Sequence, residues 1–523
     1  MPRKPHHFRP ASLCFLLLFA IGTQANAQRV PVVEKTLSNG MRLLMVERHE
    51  EPSVAGGWVA HVGSSNERPG ITGIAHLFEH MMFKGTPTIG TKDYSKDLQI
   101  IGEQERVRGE MRAEEAKMRV ALRRGEIDDL MKLENATPKL RELKKQFDGL
   151  IIQQRGLMVK DEFDLVYTTA GGSRLNAFTS NDETAYFIMV PANKLELWMW
   201  MESDRLLHPV FREFYSERDV VYEERRLRTE STPLGKAGEA FETMFWGGHP
   251  YSWPVIGWPS DVSSISKAQA DEFYSIYYSP QNITLILVGD FKVAEAEKGA
   301  ERYFGRIPRG QIDPPEMITV DPGHAVEKRM NAEVEANPQV WINWHTVPFQ
   351  HRDTYPLEVM GRILSGRTGR LHKAMVLESK LATEASADQG SQKWGGAFSA
   401  AAEVREGHTP QECELAIYEQ IKRLAEEDVP AEELQKIKNQ FAASEYRRIS
   451  GDFPILMQLV RSEGLGDWRE INEAGAKMQG VTVADIRRVA RQYFSPQNRT
   501  VAILTRKGGG SAQKAVPAAR PTR

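Results

Sequence analysis

The chain has 523 residues, 41% hydrophobic and 26% charged, with a formal charge of −2. That length exceeds one ordinary core and predicts at least two domains. The near-neutral charge excludes a global electrostatic footprint for nucleic acid, and ordinary hydrophobicity excludes an unfolded or fibrous class.

Residues 1–27 read as a secretory leader rather than as part of the fold. Arg3, Lys4 and Arg9 precede a short apolar run, Leu13–Ile21, and Ala25-Asn26-Ala27 forms a small-residue cleavage site before Gln28. The run is too short to span a bilayer as a mature helix. Cleavage removes those three cations and takes the charge from −2 to −5. It also removes Cys14. The mature chain keeps only Cys413, which excludes an internal disulfide or a cysteine-based metal site. The leader predicts a periplasmic or secreted protein, and the lack of a cysteine after the cleavage site argues against a lipid anchor.

Val54–Gly63 alternates as a strand and leads into Gly73–Phe83, where Ile74, Leu77, Phe78, Met81 and Met82 give a helix with an apolar surround. His76 and His80, four apart, project from one helical face, so two imidazole nitrogens can share one metal ion. Glu79 lies beside them. It can reach a water held at that ion without itself ligating, and its carboxylate suits a general base.

Residues 100–160 are dense in Glu, Arg and Lys. Leu140, Leu143, Phe147 and Leu150 fall at coiled-coil spacing, and Asn135-Ala136-Thr137-Pro138 breaks one helix from the next. A helical hairpin inserted into the first domain is expected, either as a solvated spacer or as a docking surface.

In the stretch Ser216–Glu224, Ser216 and Asp219 resemble a capping box, which predicts a helix start. Glu217 and Glu224 are two turns apart on one face. With Val220 and Val221 between them, that face is expected to be buried. Buried carboxylates are costly unless paired or metal-bound. One can complete the metal site while the other orients a ligand. Spacing alone also leaves Glu223 open as the third ligand.

The chain then repeats itself. Residues 265–287 and 481–503 share a helix, a Ser-Pro-Gln-Asn turn and a β-branched strand at a constant offset of 216. Gln339–Val347 alternates like Val54–Gly63 and precedes a helical stretch, Tyr355–Ser365, that has no histidine pair. We expect an α+β chain of two tandem homologous domains, each a mainly antiparallel sheet with helices on one face. The first spans 28–310 with its insertion near 100–160. The second spans 311–507 and lacks the metal motif. Residues 508–523 read as a flexible tail.

At His76-Leu77-Phe78-Glu79-His80 and Glu217-Arg218-Asp219-Val220-Val221-Tyr222-Glu223-Glu224 the chain resembles the insulinase/pitrilysin family of zinc metallopeptidases, which includes the mitochondrial processing peptidases. The resemblance covers nearly all of the mature chain outside the insertion and tail. It implies one Zn2+ per chain held by His76, His80 and Glu224, Glu79 as catalytic base, and Glu217 orienting a ligand. It also implies that Leu175–Ser180 is an edge strand at the active site, with Asn176 and Ala177 binding substrate. The implied activity is endoproteolysis of short or unfolded peptides.

Two departures stand out. Residues 81–223, 143 in number, separate His80 from Glu224, more than in most relatives. No Arg-x6-Tyr pair follows residue 340, and the position seven after Arg469 is Ala476. Relatives use such a pair on substrate, some supplying it from a second subunit. A homo- or heterodimer is therefore expected, with an Arg/Tyr-bearing inactive homologue as one partner. The alternative is a non-catalytic peptide-binding or assembly subunit.

Overall fold

The computed structural model describes residues 29–508, apart from 131, 321, 322 and 324. The expected leader, and the tail beyond 508, lie outside the described residues. Two open sheets organise the chain. The first contains β1 (Val33–Thr36), β2 (Arg42–Glu47), β3 (Ser53–Ala60), β4 (Ser173–Thr179), β5 (Thr184–Pro191) and β6 (Ile283–Gly289), in the order β1-β2-β6-β3-β5-β4. The second contains β7 (Lys328–Val334), β8 (Gln339–Thr346), β9 (Ala382–Ser391), β10 (Gly396–Val404) and β11 (Arg499–Arg506), in the order β7-β11-β8-β10-β9. Apart from β1 the two orders correspond strand for strand. In each, one pair is parallel (β2 with β6, β7 with β11) and the other pairings are antiparallel.

The 216-residue repeat has a physical basis in one asparagine. Asn282 Nδ2 donates to Tyr277 O (2.8 Å), at the end of the helix Lys267–Tyr277, and to His61 O (3.4 Å) just beyond β3. Asn498 Nδ2 donates to Tyr493 O and to His345 O, both at 2.8 Å. In both halves one side chain satisfies an orphan helix carbonyl and staples that helix to the neighbouring strand.

The central strands read as continuous apolar runs because both faces are covered. All seven residues of β6 are buried. One face, with Leu43, Met45, Trp58, Leu285 and Leu287, packs in a core with its own half's helices. The opposite face, with Leu44, Val46, Ala55, Val59, Ile286 and Val288, receives Ile455, Leu456, Leu459 and Val460 from the helix Asp452–Leu465 of the second half. The exchange is mutual. Ala237 and Phe241, on the first-half helix Gly235–Trp246, pack with Val334, Ala502 and Leu504 of the second sheet. These two exchanged helices themselves stand about 216 residues apart.

The segment between β3 and β4 holds two long helices, Tyr94–Arg123 and Pro138–Leu157. Thr137 caps the second through Leu140 N, with Pro138 in its first turn, where proline is tolerated. Leu140, Leu143 and Phe147 are buried with Val107, Met111 and Met118 of the first. A buried ion pair anchors the two helices. Arg212 and Asp97 are both fully buried, with Nε 2.5 Å from Oδ2. Gln154 Nε2 donates to Asp97 Oδ1 (2.8 Å). The same guanidinium donates to the carbonyls of Lys84, Thr86 and Ile89, in the loop that follows the histidine helix. Among the described residues, no helix is long and apolar enough to cross a membrane.

Candidate metal centre

The histidine helix runs Ile74–Met81. Its start demands glycine: Gly73 has φ +90°, and a Cβ there would meet Ile256 O at 2.7 Å. The buried Glu67 carboxylate accepts from Gly73 N (2.8 Å) and Ala75 N (2.9 Å), satisfying two of the orphan amides. Burial pushes this carboxyl well above its usual range. Farther along, Tyr186 Oη donates to Phe78 O (3.1 Å). The apolar side of the helix is sunk in the core, which leaves His76 and His80 together on the other side.

The third acid arrives on the helix Phe214–Arg225. This helix begins two residues before the expected Ser216 start. Glu213 takes a left-handed φ of +54° and the buried aromatics Phe214 and Tyr215 anchor the first turn, so the Ser216/Asp219 pair does not cap it. Val221 is fully buried but Val220 is 49% exposed, because adjacent helical positions point about 100° apart. The helix ends in a π-turn, Arg226–Glu230.

His76, His80 and Glu224 each offer a ligand atom within 4.8 Å of the others. His80 Nε2 lies 3.3 Å from Glu224 Oε2, and His76 Nε2 lies 3.8 Å from the same oxygen. Donors around a tetrahedral ion with bonds of about 2.1 Å stand roughly 3.4 Å apart, so these residues fit a zinc-sized cation. The arrangement could hold a metal. Glu224 Oε1 is paired with the exposed Arg228 at 2.8 Å, which fixes the carboxylate's orientation.

Electrostatics divides the two histidines. Burial, then the neighbouring His80 and Arg228, pushes His76 down to about 3, so its imidazole is neutral with a free lone pair. Its Nδ1 is buried with no acceptor among the described residues. His80 is also pulled down by burial, but the Glu217 contact and the charges of Glu224 and Glu79 outweigh this and raise it. His80 Nδ1 stands 3.6 Å from Glu217 Oε2. Glu217 Oε1 in turn holds Lys84 Nζ at 2.5 Å. Despite burial, these two partners keep Glu217 ionised at lower pH than usual. The carboxylates that raise the proton affinity of His80 favour any cation at its Nε2.

Glu79 Oε2 is 3.9 Å from His76 Nε2. Burial raises its pKa, while a hydrogen bond from Thr179 Oγ1 (2.8 Å) holds it back. Thr179 belongs to β4, which occupies the outer position of its sheet and pairs with β5 alone. Asn176 and Ala177 of this edge line a cleft of about 880 Å³ together with Glu79, His80, Glu217 and Val220. The register of β4 breaks between Ser173 and Asn176, and Asn176 Oδ1 accepts from Ala177 N (2.8 Å). Met158 and Val159, just past the second long helix, and Phe163, in the following helix Glu162–Thr169, also line the cleft.

The structure thus brings all seven residues expected from the sequence, His76, Glu79, His80, Asn176, Ala177, Glu217 and Glu224, to one place. Four other residues at the site were not expected from the sequence. Lys84 follows His80 by one helical turn, a spacing that could have flagged it. Thr179 lies inside the expected edge strand Leu175–Ser180. Glu67 and Arg228 carry no local signal.

Residues 42–123 match the family described as Insulinase (Peptidase family M16), and residues 264–441 match Peptidase M16 inactive domain. Zinc protease PqqE of Helicobacter pylori is 24% identical over 516 residues, covering 95% of this chain and 98% of that one. The solved structure of a protease from Helicobacter pylori superposes with a TM-score of 0.73 at 21% identity, covering 91% of this chain and 99% of that chain. The first half of the periplasmic protease PqqL from Escherichia coli gives 0.63 at 17% identity, covering 91% and 92%. Each half thus carries a segment similar to a domain of the M16 type.

Proposed function

We propose that the protein is an exported zinc endopeptidase of the insulinase family, hydrolysing short or unfolded peptides. The observation that carries this reading is the His76/His80/Glu224 cluster with Glu79 beside it, opening on a cleft edged by β4. One Zn2+ bound by those three residues supplies Lewis acidity toward the scissile carbonyl and the attacking water.

The chain's own groups do the rest. An extended peptide adds to the outer edge of β4 by main-chain hydrogen bonds, with Asn176 and Ala177 flanking the scissile bond. Glu79 takes the proton of the attacking water at its carboxylate and returns it to the leaving amine. The Thr179 hydroxyl donates to Oε2 of that base, the oxygen nearer His76, and fixes the carboxylate's orientation. Glu217 orients His80 through Nδ1, so that Nε2 faces the cluster.

Export rests on the basic-apolar-small pattern of residues 1–27 and on the likeness to a periplasmic protease. Dependence on a partner subunit rests on the missing Arg-x6-Tyr pair; full activity of a purified monomer would refute it. The same gap favours a second reading, a peptide-binding or assembly subunit that keeps the metal. Zinc content and hydrolysis of a quenched unstructured peptide separate the readings. One zinc per chain, with chelator-sensitive turnover that Glu79→Gln abolishes, supports the peptidase. One zinc without turnover, alone or with a homologous partner, supports the binding subunit.

A further inference from the structure

The second half contains a separate pocket of about 450 Å³, within the size range of small-molecule sites. It lies between one face of the helix Pro410–Glu426, the end of the helix Val483–Tyr493 and the start of β11. It shares no residue with the cleft at Glu79.

Three observations there bear on what could occupy it. The first is an orphan donor. Trp344 lines the pocket and is 1% exposed, yet its indole Nε1–H has no acceptor among the described residues. A buried donor left unmet is costly, and a ligand oxygen would satisfy it. The second is an apolar interior that continues to the surface. Trp344 and Phe494 pack together (ring centroids 5.1 Å apart), Ile421 and Ala490 complete the wall, and Leu415 in the same lining is 68% exposed. The third is charge. Lys422, Arg491 and Arg499 line the pocket against one acid, Glu419. Arg491 is fixed through Nε on Ala425 O (2.8 Å), and Arg499 through Nε on Glu327 with its guanidinium 4.1 Å from the Tyr418 ring centroid.

We infer that this pocket binds a small apolar carboxylate, its hydrocarbon or aromatic body against Phe494 and Ile421 and its oxygens shared by the Trp344 N–H and the cationic rim. An apolar amine is excluded by the rim, and a fully polar anion by the walls. The carboxylate could be a free acid or the C-terminus of a peptide ending in an apolar residue.

Calorimetric titration of the mature full-length chain with 3-phenylpropionate tests this, with 3-phenylpropionamide as the uncharged control. We expect the acid to bind at least about tenfold more tightly than the amide, since hydrogen bonds to a charged group contribute about 1.5–3 kcal/mol. Lys422→Glu with Arg491→Glu, both surface changes, should weaken the acid about tenfold or more. Trp344→Phe, which keeps an aromatic side chain and removes the donor, should also weaken it. An acetylated dipeptide ending in free phenylalanine distinguishes the sources: binding equal to the free acid identifies a peptide C-terminus, and binding of the free acid alone identifies a small metabolite. Equal binding of acid and amide, no binding of the acid, or acid binding unchanged in the charge-reversed protein (which places the ligand elsewhere, such as at the metal cluster) would overturn the inference.

Discussion

Thr179 and Glu79, one hundred residues apart, meet in a 2.8 Å hydrogen bond that joins the outermost strand of the first sheet to the histidine helix. The strand proposed to carry substrate is thereby tied to the proposed base. Thr179→Val should lower kcat/KM by about 10- to 100-fold, the range for losing a hydrogen bond to a charged group. Thr179→Ser should restore most of it. Steady-state kinetics on both variants with equal zinc content checks this; an unimpaired Thr179→Val enzyme would remove Thr179 from the site.

Glu217 touches His80 on the side away from the cluster. Glu217→Ala is expected to weaken zinc binding by about 10- to 100-fold, as loss of a ligand's outer partner does, without abolishing it. His80→Ala and Glu224→Ala should leave no stoichiometric zinc. Competition with a chromophoric chelator measures all three, and unchanged affinity in Glu217→Ala would count against its orienting role.

Asp97 and Arg212 form a fully buried pair that also holds three loop carbonyls. Asp97→Asn should destabilise the first half by about 3–5 kcal/mol, because it strands the guanidinium charge in the interior. Urea unfolding followed by tryptophan fluorescence reads this, and a midpoint equal to wild type would show that the pair is not needed.

Glu183, which is not among the expected ligands, supplies a pH dependence. Burial, reinforced by the Asp182 charge, raises its pKa to about 7, against hydrogen bonding by Ser180 and the charges of Arg461 and Lys393. A carboxyl raised in the folded state favours folding below its unfolded pKa, and that contribution is lost as pH rises through about 7. Between pH 5 and 8 the wild type should therefore lose up to about 3 kcal/mol relative to Glu183→Gln. Parallel melting curves of both proteins across that range decide it; parallel pH dependence would contradict the buried-acid reading.

The sequence disclosed the site where chemistry imposes local spacing. Two histidines must be one helical turn apart to share an ion, and Glu79 must sit beside them, so the helix Ile74–Met81 was legible. The Asn282/Asn498 repeat was legible because the same capping bond was kept in both halves. Thr179, Arg212 and Glu67 were not, since their partners are brought near only by tertiary folding. The start at Phe214 was missed because two buried aromatics and a positive φ overrode a plausible polar cap.

The exchanged helices Gly235–Trp246 and Asp452–Leu465 make the two halves mutually dependent. Cut after residue 310, the first half would bare Leu44, Val46, Ala55, Val59, Ile286 and Val288 to water. The half that carries the histidine helix is therefore not an excisable module. In organisation the chain is a fused dimer, and a break in the connection between its halves should leave two fragments clasped together, reassembling from separately made pieces as complementing fragments do.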